Sequence, residues 1–347
     1  MMSSRIQWRL LVTFGLAVLL LWLNLSSAVA RPADKTVRIG MLLSGYPPSY
    51  VHVERAFLAG MRDVGFIEGK NLVVERRYAQ LDPERMRDAA TELAHMKLDA
   101  IVTGCTGSTR AVQRATAKTP IVMASVADPV GQGFVKSLGQ PGTNVTGRSS
   151  QSRDLLPKML ELFVSAVPKA KRIAVLVNVN NTVHETLWTD AQSAAAASGV
   201  NLLRIDVRGP AGLDVALENL AASTADALFV LPDDPMSHNL RARIIEFANS
   251  RRLPTFFGFR EFVESGGLMS YGEKFADTYR HTATYVDQIV RGARPEEMPI
   301  EQPTRFELVI NLDTAAALGL ALSRPLLLRA DATIRTLSRS ARSETAP

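Results

Sequence analysis

From Thr36 to about Ile289 the chain alternates between two kinds of segment. Short runs of aliphatic and β-branched residues read as buried strands. Longer runs with apolar residues every three to four positions read as amphipathic helices. Residues 37–43 are the first predicted strand, and Val53, Phe57, Met61 and Val64 then share one helical face. A strand follows at 72–78. Asp82-Pro83 opens the next helix, with Asp as N-cap and Pro in the first turn, where its missing N–H costs nothing. Met86, Ala90 and Leu93 carry that helix's apolar face, and strands at 100–103 and 121–126 flank a further helix.

The pattern then restarts. Leu155, Met159, Leu162 and Ala166 mark a helix face, 172–178 a strand, and 183–198 an Ala-rich helix. Strands at 202–207, 227–231 and 255–259 follow, with Leu240, Ile244 and Phe247 on the helix before the last. Strands alternating with helices of this length predict parallel sheets with right-handed crossovers. Two such series predict two α/β lobes. Beyond Gly258 the order loosens. Gly266-Gly267 precedes a strand at 268–271, and Phe275, Tyr279, Thr282, Val286 and Ile289 line an amphipathic helix. A Pro-rich connector at 294–303 leads to a last strand at 306–310 and a short Ala/Leu helix. A strand and a helix left over after two complete series imply that the chain crosses between lobes more than once.

The first thirty residues follow a different pattern. Arg5 and Arg9 precede an almost wholly apolar run at 10–25, and Ala28-Val29-Ala30 supplies the small-x-small site of a signal peptidase. The run is short of the roughly 20 residues that span a bilayer. It reads as an export signal at 1–30 rather than an anchor, and no cysteine follows it to take a lipid. The expected product is an exported, periplasmic chain of two typical domains. Losing the leader removes two arginines and no acid, so the net charge falls from +6 to +4. That excess is small, scattered and partly confined to a polar tail at 331–347, so no nucleic acid is expected.

Cys105 is the only cysteine, which excludes an internal disulfide. Five dispersed histidines give no metal-ligand spacing, so neither metal nor cofactor is expected. Gly131-Gln132-Gly133 resembles the start of a dinucleotide loop, but residue 136 is Lys where the third Gly belongs. Neither a Gly-x-Ser-x-Gly elbow nor a phosphate-binding loop occurs. Cys105 at a helix start has the setting of a nucleophile, but no base accompanies it. No catalytic residue is assigned.

Several segments together resemble one family. They are Gly65-Phe66-Ile67-Glu68-Gly69-Lys70-Asn71-Leu72, Ala127-Asp128-Pro129-Val130-Gly131, Pro141-Gly142-Thr143-Asn144-Val145-Thr146-Gly147, Gly266-Gly267-Leu268-Met269-Ser270-Tyr271-Gly272 and Gln302-Pro303-Thr304-Arg305-Phe306-Glu307-Leu308-Val309-Ile310-Asn311. In this order they resemble the substrate-binding proteins of bacterial ABC importers, in the branch with tryptophan- and tyrosine-type binders. The resemblance implies a type I periplasmic-binding fold: two doubly wound parallel-sheet lobes joined by a three-strand hinge, closing on ligand like a flytrap. It implies lobe one at 36–148 plus 265–300 and lobe two at 149–264 plus 301–330, with crossings at 145–149, 268–271 and near Pro303.

In parallel α/β sheets ligands sit beyond the carboxyl ends of the strands. The candidates are therefore Ser44 and Tyr46 after the first strand, Gly104, Cys105, Thr106 and Ser108 after the third, and Ser125 and Asp128 at the fourth. Lobe two offers Asn178, Asn181, Asp233 and Phe259, and the hinge offers Tyr271. The Gly104 to Ser108 loop opens a helix, so its backbone N–H groups suit a ligand carboxylate; an ordinary N-cap is the alternative. Asp128 suits a ligand ammonium or, with Pro129, a turn. Tyr46, Phe259 and Tyr271 suit stacking on an aromatic ligand or packing within a lobe.

The expected function is a non-enzymatic periplasmic receptor, monomeric, that captures a small ligand such as an aromatic amino acid or other small carboxylate. It would deliver that ligand to an ABC permease in the inner membrane. A sensor input for a kinase or chemoreceptor has the same fold, and an exported α/β enzyme is the more distant alternative. A repressor of related fold would need a helix-turn-helix where the export signal stands.

Overall fold

The computed structural model describes residues 36–335. The export signal expected at 1–30 lies outside the described residues. Among those described, no helix is long and apolar enough to cross a membrane.

The first series runs β1 (Val37–Leu43), α1 (Pro47–Asp63), β2 (Leu72–Tyr78), α2 (Pro83–His95), β3 (Ala100–Thr103), α3 (Thr106–Ala115), β4 (Ile121–Ala127) and β5 (Val145–Ser150). These strands form one parallel sheet in the order β2-β1-β3-β4-β5. The expected start of α2 is present: Asp82 Oδ1 accepts from the N–H groups of Glu84 (2.7 Å) and Arg85 (3.2 Å). One face of the sheet buries Val53, Phe57 and Met61 of α1. The other buries Ala90 and Leu93 of α2 and Val112 of α3.

The second series runs α4 (Ser152–Ala166), β6 (Arg172–Asn178), α5 (His184–Ser198), β7 (Asn201–Val207), α6 (Leu213–Ala222), β8 (Ala227–Val230), α7 (Pro235–Asn239), α8 (Arg241–Ser250), β9 (Thr255–Phe257), α9 (Arg260–Glu264) and β10 (Met269–Gly272). It continues, after α10 (Phe275–Val290), with β11 (Glu307–Asn311), α11 (Leu312–Ala317), α12 (Arg324–Arg329) and β12 (Ala332–Ile334). The sheet order is β12-β11-β10-β9-β8-β6-β7. All its pairs are parallel except β10 with β11. Helices α4 and α5 cover one face, where Phe163, Phe229 and Phe256 pack with ring centroids 5.4–6.4 Å apart. Helices α6 and α8 cover the other. Each lobe is thus a sheet between two helix layers, as the alternating pattern predicts.

The chain passes between lobes at three places. β5 ends the first sheet and runs directly into α4 of the second lobe. After β10 the chain returns through Glu273 to α10, whose Phe275, Tyr279, Ala283 and Val286 join the core of the first lobe. It leaves again at Glu301, which donates to Gly147 O (3.0 Å) and accepts from Ser149 N (2.9 Å) before leading to β11. Gly147 sits at φ +117, and a Cβ there would collide with the backbone of Met123. Only glycine lets β5 pass so close to β4.

Two boundaries differ from expectation. Residues 269–272, expected in lobe one, belong to the second sheet, because β10 bonds to β9 and β11. Residues 332–334, expected as polar tail, form an edge strand on β11. Three residues give too little periodicity to announce a strand, and only the partner's open edge makes one. The tail from 336 onward lies outside the described residues.

Candidate functional site

The carboxyl ends of β1, β3 and β4 in the first lobe face those of β6 and β8 in the second. Between them lies a cleft of about 570 Å³. The first lobe contributes Ser44, Cys105, Thr106, Gly107 and Arg110, and the second contributes Asn178, Asn181, Asp233 and Asp234. Past Cys105, Thr106, Asp233 and Asp234 it narrows to a chamber with about 30 Å³ of free space. Tyr50, Phe259, Phe275 and His238 form the chamber's aromatic wall, and Gly104 and Ser125 also line it. The volume of the cleft falls in the range of small-molecule sites, roughly 300–1,000 Å³.

The start of α3 forms the first-lobe wall. Cys105 is the N-cap. Its Sγ accepts from Ser108 N (3.4 Å), while Ser108 Oγ accepts from the N–H groups of Cys105 and Gly104, each at 3.2 Å. This capping box takes up the early N–H groups by side chain. The N–H groups of Thr106 and Gly107, in the first turn, have no intrahelical acceptor. Ser44 Oγ lies 2.8 Å from Cys105 Sγ and ties the β1 loop to this turn. A Cβ on Gly104 would overlap the hydroxyl of Tyr279, so glycine is required there.

Carboxylates dominate the opposite wall. Asp233 adopts φ +60, a left-handed backbone that Asp and Asn tolerate better than other non-glycine residues. Its Oδ2 accepts from Ser150 Oγ (3.1 Å), and Asn181 Nδ2 donates to its backbone carbonyl (2.8 Å). Burial pushes the Asp233 carboxyl up to about 6, against the lowering effect of Ser152 and Ser150. The first crossing back from lobe two carries a second acid, Glu273. It accepts from Ser125 Oγ (2.6 Å) and Thr278 Oγ1 (2.8 Å). Burial raises its pKa as well, against the lowering effect of those two hydroxyls and of the more distant Arg148. Neither Asp233 nor Glu273 has a basic side chain within ion-pair distance among the described residues. Asp234 has a different role: it caps α7 through Met236 N and Ser237 N and accepts from Asn178 Nδ2 (2.9 Å).

Of the residues singled out from sequence, Ser44, Gly104, Cys105, Thr106, Ser125, Asn178, Asn181, Asp233 and Phe259 line the cleft or chamber. Four are placed otherwise. Ser108 is fully buried and its hydroxyl is engaged in the capping box. Tyr46 is 42% exposed at the rim, where its backbone N–H donates to Asn239 Oδ1 (3.1 Å). Tyr271 packs on Phe306 (6.0 Å between centroids) on the second-lobe side of the hinge. Asp128 does not face the cleft. It lines a separate groove of about 810 Å³. One of its oxygens accepts from Gly131 N (2.9 Å) and the other from Arg153 (3.2 Å), which also holds Asp190 (2.7 Å). The turn reading of Asp128 is what the geometry gives, with an inter-lobe ion pair added.

Sequence reasoning missed Tyr50, His238, Glu273 and Phe275. Tyr50 and Phe275 follow the helical period and read as ordinary core. His238 stands alone in a five-residue helix, and Glu273 follows a strand without any motif. Asp234-Pro235, a cap followed by Pro, was a local signal beside His238 that a helix starts there.

Two α/β lobes, three crossings and a polar cleft at the strand ends define a type I periplasmic-binding architecture. The family described as ABC transporter substrate binding protein matches residues 37–334, and the chain belongs to it. It is 27% identical over 287 residues to the tyrosine-binding protein of Clostridioides difficile strain R20291, covering 83% of this chain and 81% of that one. A conserved domain protein of Vibrio cholerae is similar in structure, with a TM-score of 0.81 and 29% identity over 86% of this chain and all of that one. The ABC domain from Streptococcus pneumonia in complex with L-Trp gives a TM-score of 0.81 at 23% identity, again over 86% and 100%. A substrate binding protein with adhesive properties from Clostridium difficile, in its ligand-free, open structure, gives 0.61 at 25% identity over 86% and 99%.

Proposed function

We propose that this protein is the exported receptor of an ABC importer, capturing an aromatic α-amino acid between its lobes and presenting it, as a monomer, to an inner-membrane permease. The observation that carries this reading is Asp233, a carboxylate on the cleft and chamber wall held by the Ser150 hydroxyl with no basic side chain in ion-pair contact. A part-desolvated carboxylate without a counter-ion carries a cost, and a ligand ammonium would relieve it. The start of α3 opposite supplies the N–H groups of Thr106 and Gly107 and the positive end of a helix dipole for the ligand carboxylate. Tyr50, Phe259 and Phe275 line the narrow end of the cleft, toward which the far end of the side chain would point.

Capture acts by shifting a lobe-closure equilibrium. A ligand held by Thr106 on one lobe and Asp233 on the other binds the closed state better than the open one, and this differential affinity sets the size of the shift. The family consists of substrate-binding proteins, and the cleft holds no nucleophile with an adjacent base, which supports binding without turnover. The leader at 1–30 supports a periplasmic location. The relative in Clostridioides difficile, named for tyrosine, supports the choice of ligand class.

Thermal-shift and calorimetric titration with the twenty amino acids tests the reading. A concentration-dependent rise in melting temperature confined to aromatic amino acids, lost when the α-amine is acetylated, is expected. Binding that ignores acetylation would sink the ammonium assignment, and turnover of the bound compound would sink the receptor.

A further inference from the structure

His238 lies on α7, at the closed end of the chamber, and is buried. Neither of its ring nitrogens has a hydrogen-bond partner. Its surroundings are aromatic: Phe275 at 5.8 Å, Phe262 at 5.9 Å, Tyr50 and His52 at 6.3 Å between ring centroids. Tyr50, Phe275 and His52 come from the first lobe's core and its α1 helix, so the imidazole is sealed by closure. The charged groups around it are Glu261, Arg241 and His52. Of these, Glu261 is engaged by His52 at 3.4 Å. Burial holds His238 down to about 4, so the ring is neutral at physiological pH and offers one donor and one acceptor.

A buried polar group left unpaired costs stability, and leucine or phenylalanine would fill this volume without that cost. The free space beside the ring, about 30 Å³, accepts a hydroxyl and not another ring. We infer that His238 is the specificity-determining residue of the cleft, hydrogen-bonding a polar atom at the far end of the ligand's ring and so selecting a phenolic over a phenyl side chain. This rests on capture of an aromatic amino acid with its ammonium at Asp233. A site built around such a hydrogen bond rejects the analogue lacking it far more strongly than an apolar pocket rejects an extra hydroxyl.

Calorimetry with L-tyrosine and L-phenylalanine, on the protein and on His238→Phe and His238→Gln, tests this. The protein is expected to bind tyrosine at least tenfold more tightly than phenylalanine. His238→Phe should bring the two within about threefold while leaving the ligand-free melting temperature unchanged or raised, because it removes an unpaired polar group. His238→Gln, which keeps a donor and an acceptor, should retain part of the preference. An undiminished tyrosine preference in His238→Phe, or a protein that prefers phenylalanine, overturns the inference while leaving capture intact. Failure of both amino acids to bind the unaltered protein overturns the capture reading and this inference with it.

Discussion

Two openings between the lobes invite comparison. The groove beside Asp128 is the larger, at about 810 Å³ against about 570 Å³ for the cleft beside Cys105. Two of its three lining carboxylates are already matched: Arg153, from the second lobe, holds Asp128 of the first and Asp190 of its own. On the cleft wall, Asp233 is hydrogen-bonded by the Ser150 hydroxyl and pairs with no basic side chain. Size therefore ranks the two openings one way and electrostatics the other. Unmatched charge is the better guide to a ligand, because its cost is relieved only by protonation, as the raised Asp233 pKa records, or by a partner of opposite sign.

Substitutions on the two sides separate these roles. Asp233→Asn is expected to have the largest effect, weakening an amine-bearing ligand by about 30-fold or more, as truncating one partner of a desolvated charge pair costs roughly 2–5 kcal/mol. Calorimetry reads this directly; a loss under fivefold would return the ammonium to another group. The same variant should melt higher than the parent at pH 8. The Asp233 carboxyl titrates near 6 in the folded state, against the ordinary aspartate value of 3.8 in the unfolded chain. Its charged form is thus disfavoured on folding, and stability relative to Asn is lost as pH rises through 6 and recovered below about 4.

Ligand binding itself supplies the next test. An ammonium beside Asp233 lowers that carboxyl's pKa, so capture near pH 6 releases a proton and affinity rises from pH 5 to 7. Titrations in buffers of different ionisation enthalpy measure that release; proton uptake would contradict the assignment. Arg153→Ala should have the smallest effect, a change in affinity of a few-fold. Its ion pairs with Asp128 and Asp190 are part-exposed, and such pairs contribute about 0.2–1 kcal/mol. Small-angle scattering of this variant should report a more open ligand-free ensemble; an effect as large as that of Asp233→Asn would erase the contrast between the two openings.

How far the sequence led can be judged from particular elements. The strand at 37–43, the capped helix start at Asp82-Pro83 and the face Leu155, Met159, Leu162 and Ala166 were each set by local periodicity or cap chemistry, and the fold follows such signals closely. β12, and the sheet that β10 joins, were not decided locally. Four residues ending in Gly272 and three ending in Ile334 become strands of the second sheet through neighbours distant in sequence. The site divides in the same way. Asp233, Asn178 and Thr106 were legible because ligands gather at strand ends. Glu273, His238 and Tyr50 were not, since their relevance arises only where two lobes and a crossing meet.

The sequence by itself determined the alternation of strand and helix, the two lobes, the export signal as an expectation and the family. These depend on residue order over distances of ten or twenty positions, where period and capping act. The tertiary structure alone decided that Asp128 is matched by Arg153 while Asp233 is not, and that His238 ends a sealed chamber. Charge compensation and burial depend on what arrives from the other lobe, and nothing local to these residues encodes it.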